Sequence, residues 1–198
     1  MSHPKASKKG ASQRVVMLLA ALFAMPVAVA AGLYFSGWRP APAAAHGTLV
    51  QPPQPVAEAV LGEANGKRIS LNDFRERWTL LYFGPAACPA TCQRTLFALR
   101  QVHLALGREQ ERLQRVFAAR GALSPETSAS LLRDFPGTGL VASTDDADRS
   151  GWPKQWAREG QILLIDPQGN LVMTYAADAD PSGIRKDLAR LLAYSWVG

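Results

Sequence analysis

Cys88 and Cys92 are the chain's two cysteines, and they lie four residues apart in 81-LYFGPAACPATCQRTLFALRQ-101. A short apolar run precedes them, and the pattern of a helix follows. That position places Cys88 near a helix N-terminus and Cys92 one turn later, where residues i and i+4 share a face about 5–6 Å apart. Modest adjustment of the first turn allows disulfide geometry. The partial positive charge and unpaired N–H groups of a helix start stabilise a thiolate. A thiolate attacks disulfides and also binds soft ions such as Cu(I), so the pair suits both chemistries. Two other readings are weaker. A purely structural staple closes so small a loop that it removes little unfolded-chain entropy. A structural zinc site needs four ligands.

The elements that must position this pair are legible around it. The run 78-WTLLYFG-84 is continuous and apolar, as expected of a strand buried on both faces. A helix is predicted from about Ala90 to Leu106, with Leu96, Leu99, Val102, His103 and Leu106 as its inward stripe and Gly107 at its stop. Next come a strand at 113–119 and a helix over 124–135, for which Ser124 serves as cap and Pro125 as first residue. A strand at 139–143 leads to the polar loop 144-TDDADRSGW-152. Strands at 161–166 and 170–175 flank Pro167-Gln168-Gly169, a hairpin signature, and a helix over 182–196 closes the chain. Ahead of all these, 67-KRISLNDF-74 reads as a short strand and a capped turn. Strands alternating with helices define an α/β protein, specifically a thioredoxin-like three-layer sandwich.

The N-terminal portion has a different character. Residues 1–14 form a basic tail in which Lys5, Lys8, Lys9 and Arg14 supply four of the six net positive charges. The folded part carries no basic excess of the kind a nucleic-acid face requires, so no nucleic-acid partner is expected. Residues 15–38 contain no charged side chain and are long enough for a transmembrane anchor, with Tyr34 and Trp38 suited to the membrane interface. Cleavage after 28-AVA-30 as a signal peptide is the competing reading, but the apolar run continues past that point. Basic residues before the span keep the N-terminus in the cytoplasm, and both readings export the remainder. Residues 39–60, rich in proline, read as a spacer, and 61–198 as a thioredoxin-like exported domain. In an oxidising compartment a disulfide persists.

The segment 65-NGKRISLNDFRERWTLLYFGPAACPATCQRTL-96 resembles the start of the Sco/SenC-type copper-chaperone domain. Phe83-Gly84 and Cys88-Pro89-Ala90-Thr91-Cys92 follow that family's pattern position by position, with Gln93 where a second proline is common. The hairpin 162-ILLIDPQGNLVMTY-175 is similar too. The resemblance implies an anchored thioredoxin-fold protein of the bacterial inner membrane, single-pass, with its C-terminal domain in the periplasm. It also implies a part in cytochrome c oxidase assembly, with an oxidase subunit or its copper-delivery proteins as partners. The family's third copper ligand, a histidine about eight residues before the hairpin Asp-Pro, falls at Arg158 in this chain. With Cys88 and Cys92 alone as metal ligands, Cu(I) remains possible as a two-coordinate cargo, whereas Cu(II) prefers nitrogen and oxygen donors.

Of the three histidines, His3 lies in the cytoplasmic tail, His46 in the spacer, and His103 about three turns beyond Cys92, where packing is the better reading than ligation. Trp152, Trp156 and Trp196 read as packing or lid residues, and Asp145, Asp146 and Asp148 as a solvated loop. Three functions follow. Cys88 and Cys92 act as a reversible dithiol/disulfide with Cys88 as the attacking thiol, they carry Cu(I), or the protein is a non-catalytic assembly factor with a structural disulfide.

Overall fold

The computed structural model describes residues 9–37, 45–56, 60–64, 67–143 and 158–195. The basic tail up to residue 8, the stretch 38–44, the Asp145–Asp148 loop, Trp152, Trp156 and Trp196 lie outside them.

The chain divides into two units, Met1–Ala44 and Ala45–Gly198. The first contains α1, Lys9–Phe35, with Pro26 inside it. Its segment Gln13–Phe35 has a mean hydropathy of 2.4, long and apolar enough to cross a membrane. Its apolar side chains are distributed all round the helix rather than on one stripe, the pattern of a helix surrounded by apolar medium.

The second unit is built on an eight-stranded mixed sheet. Its strands are β1 Thr48–Pro55, β2 Val60–Ala64, β3 Lys67–Ser70, β4 Trp78–Pro85, β5 Leu113–Arg120, β6 Thr138–Ser143, β7 Ile162–Ile165 and β8 Asn170–Tyr175. They lie in the order β1-β8-β7-β4-β5-β6-β2-β3. β4 is central and buried from Trp78 through Gly84, because strands pair with both its edges and side chains cover both its faces. It runs parallel to β5 with Trp78 opposite Leu113, and antiparallel to β7 with Leu80 opposite Leu164.

Alternation along the strands divides the core in two. Leu80, Tyr82, Phe117 and Leu164 face one way, against α2 Ala90–Leu104, α3 Pro125–Asp134 and α4 Pro181–Tyr194. Leu81, Phe83, Val116 and Leu163 face the other way, toward Val56 and Leu71. This is the thioredoxin-like α/β arrangement expected from the order of elements.

Local chemistry explains the element boundaries. The Ser124 hydroxyl accepts from the Thr127 N–H, with Pro125 at the first helical position of α3. The Asp166 carboxylate accepts from the Gln168 and Asn170 N–H groups, and Gly169 takes φ 89°, which turns the β7–β8 hairpin.

One stretch differs from its sequence reading. Within the proline-rich residues 39–60, β1 pairs antiparallel with β8, Thr48 opposite Thr174 and Pro55 opposite Asn170, with a register shift between Leu49 and Gln54. Proline cannot donate to a ladder, so it is compatible with a sheet only at an edge or bulge, and β1 is an edge strand. Prolines that suit a spacer also suit this position, which is why composition alone did not reveal the strand.

Candidate functional site

The site is built where β4 ends. Pro85 closes the strand, and the Cys88 N–H donates to the Pro85 carbonyl at 2.9 Å, making a turn of Pro85–Cys88. Cys88 precedes α2 rather than occupying its first turn. Pro89 is the N-cap residue, and Cys92 is the third residue of the helix. The two cysteines are joined by a disulfide with Cα atoms 5.1 Å apart. That span is reached because Cys88 leaves helical geometry, with φ 37° in the left-handed region. For a residue bearing a Cβ this conformation costs about 1–3 kcal/mol. The sequence reading placed the pair on one helical face; the structure instead spans the helix entrance.

Pro89 has no side-chain group to cap α2, so the first N–H groups of the helix are left for other acceptors. They lie beside Cys92, so a thiolate released there gains the favourable potential of a helix start. Gln93 reaches back and donates its side-chain amide to the Cys88 carbonyl at 3.2 Å, tying the turn to the helix.

Both cysteines are only 1% exposed. Their surroundings include Tyr82, Leu96 and Phe117, with the Tyr82 and Phe117 rings stacked at 5.7 Å. Gly84 permits this packing, because a Cβ there would come within 2.7 Å of the Phe117 ring. The Phe83-Gly84 pair ahead of the cysteines therefore has a steric basis. Burial pushes the Tyr82 phenol pKa up, Glu159 adds to the rise, and a hydrogen bond with Thr95 opposes it. Tyr82 is thus a neutral hydroxyl at working pH. Next to the cysteines in sequence, Ala87, Pro89, Ala90 and Thr91 are exposed. With both sulfurs buried, an attacking thiolate reaches them only after the surrounding structure opens.

Arg158 is exposed, and its segment runs beside the end of β4. Gly160 N–H donates to the Phe83 carbonyl at 2.8 Å, and Phe83 N–H to the Gln161 carbonyl at 3.1 Å. His46 is placed elsewhere. Its backbone N–H donates to Asp187 at 2.8 Å, and its ring packs against Gly183 in the first turn of α4. His103 lies near the other end of α2, where Nε2 donates to the carbonyls of Gln110 and Leu113 at 2.9 and 3.0 Å. His3 is outside the described residues. Among the described residues, no three His, Cys, Asp or Glu side chains converge as a metal-binding group. Cys88 and Cys92 are brought together, and neither His46 nor His103 joins them. Three contributors escaped sequence reasoning: Gln93 as a strut, Tyr82 as a buried hydroxyl, and the left-handed turn at Cys88. Only Tyr82 left a trace, through its period-two position in β4.

The arrangement is similar to several solved structures. Apo Sco1 from Thermus thermophilus is 25% identical, with a TM-score of 0.60 over 79% of this chain and 100% of that one. Copper-bound yeast Sco1 is 19% identical, with a TM-score of 0.58 over 74% and 96% of the two chains. A thiol:disulfide interchange protein from Bacteroides sp. is 19% identical, with a TM-score of 0.54 over 72% and 91%. Below 25% identity these likenesses concern the fold. No curated protein matches the chain. Residues 78–195, which run from the first residue of β4 past the end of α4 and include both cysteines, match the transmembrane-like, thioredoxin-like C-terminal domain family, and the chain belongs to it.

Proposed function

We propose that this protein is a membrane-anchored thiol/disulfide exchange factor that assists cytochrome c oxidase assembly through Cys88 and Cys92. The observation that carries the reading is the disulfide itself, set across the entrance of α2 at the end of the central strand. α1 serves as the anchor in a bacterial inner membrane, with the N-terminus in the cytoplasm and the thioredoxin-like domain in the periplasm. The working partner is an oxidase subunit or one of its copper-delivery proteins.

The exchange balances as two successive displacements. A partner thiolate attacks Cys88 Sγ, the Cys88–Cys92 bond breaks, and Cys92 leaves as a thiolate at the helix start. The partner's second thiolate then attacks its own sulfur in the mixed disulfide, and Cys88 leaves as a thiolate. The partner loses two electrons and this protein gains them. In the reverse direction Cys88 attacks and Cys92 resolves. The unpaired N–H groups of the helix start favour the departing Cys92 thiolate in the first displacement.

A second reading rests on the same pair. Once reduced, two sulfurs held this close can share one Cu(I) as cargo, since thiolates are soft ligands. Expression of Cys92→Ser in cells separates the readings. The exchange reading expects a mixed disulfide trapped on Cys88 that disappears on reduction, and loss of oxidase assembly in the double Cys→Ser variant. Full assembly by the double variant would show a non-catalytic factor. One equivalent of Cu(I) on the reduced protein, with no trapped partner, would favour the cargo reading.

A further inference from the structure

At the end of the sheet opposite the disulfide, where β4, β5 and β6 begin, a charged side chain is buried without a counter-charge. Arg115 is 6% exposed. Its Nη2 donates to the Pro136 carbonyl at 2.8 Å, whereas Nε and Nη1 are buried with no hydrogen-bond partner. No carboxylate among the described residues pairs with it. Guanidinium remains protonated even where burial disfavours it, so Arg115 is a permanent cation inside the fold. A buried cation without a partner is strongly unfavourable, and native structures compensate such groups.

Arg115 also forms part of the wall of a cavity of about 380 Å³, which Arg77, Gln110 and Gly137 help to line. Glu111 is the acid in that wall and is exposed. Of the other polar neighbours, Gln114 donates its amide to the Phe74 carbonyl and the Thr79 hydroxyl, and His103 commits Nε2 to the Gln110 and Leu113 carbonyls, so neither neutralises the guanidinium. Gly137 passes the Nη2 side of the guanidinium, where a Cβ would make ordinary contact at 3.5 Å.

We propose that this cavity binds a small oxyanion, a carboxylate or phosphate group, drawn by the uncompensated charge of Arg115 in its wall, with Arg77 at the mouth. An anion in the cavity offsets the buried charge of Arg115, and the exposed Arg77 adds a second positive charge whose fork can meet two oxygens of such a group. The site is separate from the cysteine chemistry and does not depend on it. Its phosphate can be free or part of a phospholipid headgroup, since the chain carries a helix able to cross a membrane.

The test uses the full chain in detergent, with the Arg115 Nε–H resonance and the thermal midpoint as readouts. Titration with inorganic phosphate, and separately with acetate, is expected to shift the resonance saturably and to raise the midpoint with anion concentration. Arg77→Gln weakens the apparent affinity several-fold, and Arg115→Gln abolishes it. If free anions leave the resonance unmoved and phospholipid vesicles move it, the headgroup is the source and the site stands. An equal response to chloride at matched ionic strength would overturn the proposal. So would a response unchanged in Arg77→Gln, or no saturable shift with any of the probes. If Arg115→Gln does not fold, the wild-type resonance and Arg77→Gln decide the matter.

Discussion

Cys88 combines three conditions that work against one another: it is buried, it is disulfide-bonded, and its backbone is held in a left-handed conformation. Burial shields the bond from casual reductants. The backbone strain, about 1–3 kcal/mol, is relieved if the turn relaxes after reduction. Gly84 fixes the floor beneath this turn. Substituting Gly84→Ala forces a Cβ into the Phe117 ring, which is fully buried and has no room to move. The expected effect is a loss of about 1–3 kcal/mol by chemical denaturation, together with faster reduction of the disulfide as the turn loosens. Unchanged stability would show that the ring can shift. His103 acts at the same scale but through protons. Burial, and then the neighbouring Arg115, lowers its pKa, while the Gln110 and Leu113 carbonyls oppose the fall. The folded state therefore resists protonation that the unfolded chain accepts below about pH 6.5. Stability is full above that pH and falls as pH drops through it toward the lower folded pKa. Denaturation midpoints across this range should slope downward for wild type and flatten for His103→Gln.

At the scale of elements, the strand–turn–helix around the cysteines is held by packing, and the start of the folded unit by a buried carboxylate. Asp187 on α4 is 4% exposed and accepts from the His46 and Gly47 N–H groups and the Tyr175 hydroxyl. Burial raises the Tyr175 pKa, and the nearby Asp187 raises it further, so the phenol stays a donor. Asp187→Ala leaves three donors without their acceptor, and an expected loss of about 1–3 kcal/mol follows, with loosened protection of the amides of residues 46 and 47 in hydrogen exchange. Normal exchange there would mean that other contacts hold β1. These elements differed in how openly the sequence showed them. β4, α2, α3 and the hairpin were readable because period, caps and turn residues agreed, as at Ser124, Pro125 and Gly169. β1 was not, because Pro52, Pro53 and Pro55 obscure a strand whose register comes wholly from β8. The Asp187 anchor was equally hidden, since it joins residues 140 and 141 positions apart.

At the scale of the whole molecule, a helix able to cross a membrane precedes a folded unit whose redox-capable pair lies at one end of its sheet, with the buried cation of Arg115 at the other. The pair's identity and thioredoxin-like setting were legible in the sequence, because 78-WTLLYFG-84 and the Cys-Pro-x-x-Cys spacing are local signals. Its burial was not, because it depends on Tyr82 and Phe117 arriving from neighbouring strands, and neither was the left-handed φ of Cys88. The proposed exchange, with both sulfurs covered, requires that partner docking open the Pro85–Cys88 turn. Removing the struts that hold this turn should therefore raise reactivity. Gln93→Ala is expected to speed reduction by dithiothreitol several-fold with little change in stability, measured by alkylation and gel shift. The most direct test of the account is the reduction potential of the Cys88–Cys92 couple in the full-length protein, obtained by equilibration in glutathione buffers. The account predicts reversible two-electron behaviour with a potential above about −300 mV, the region of catalytic and exchangeable disulfides. A potential below that value, or a disulfide that does not re-form after reduction, would contradict it.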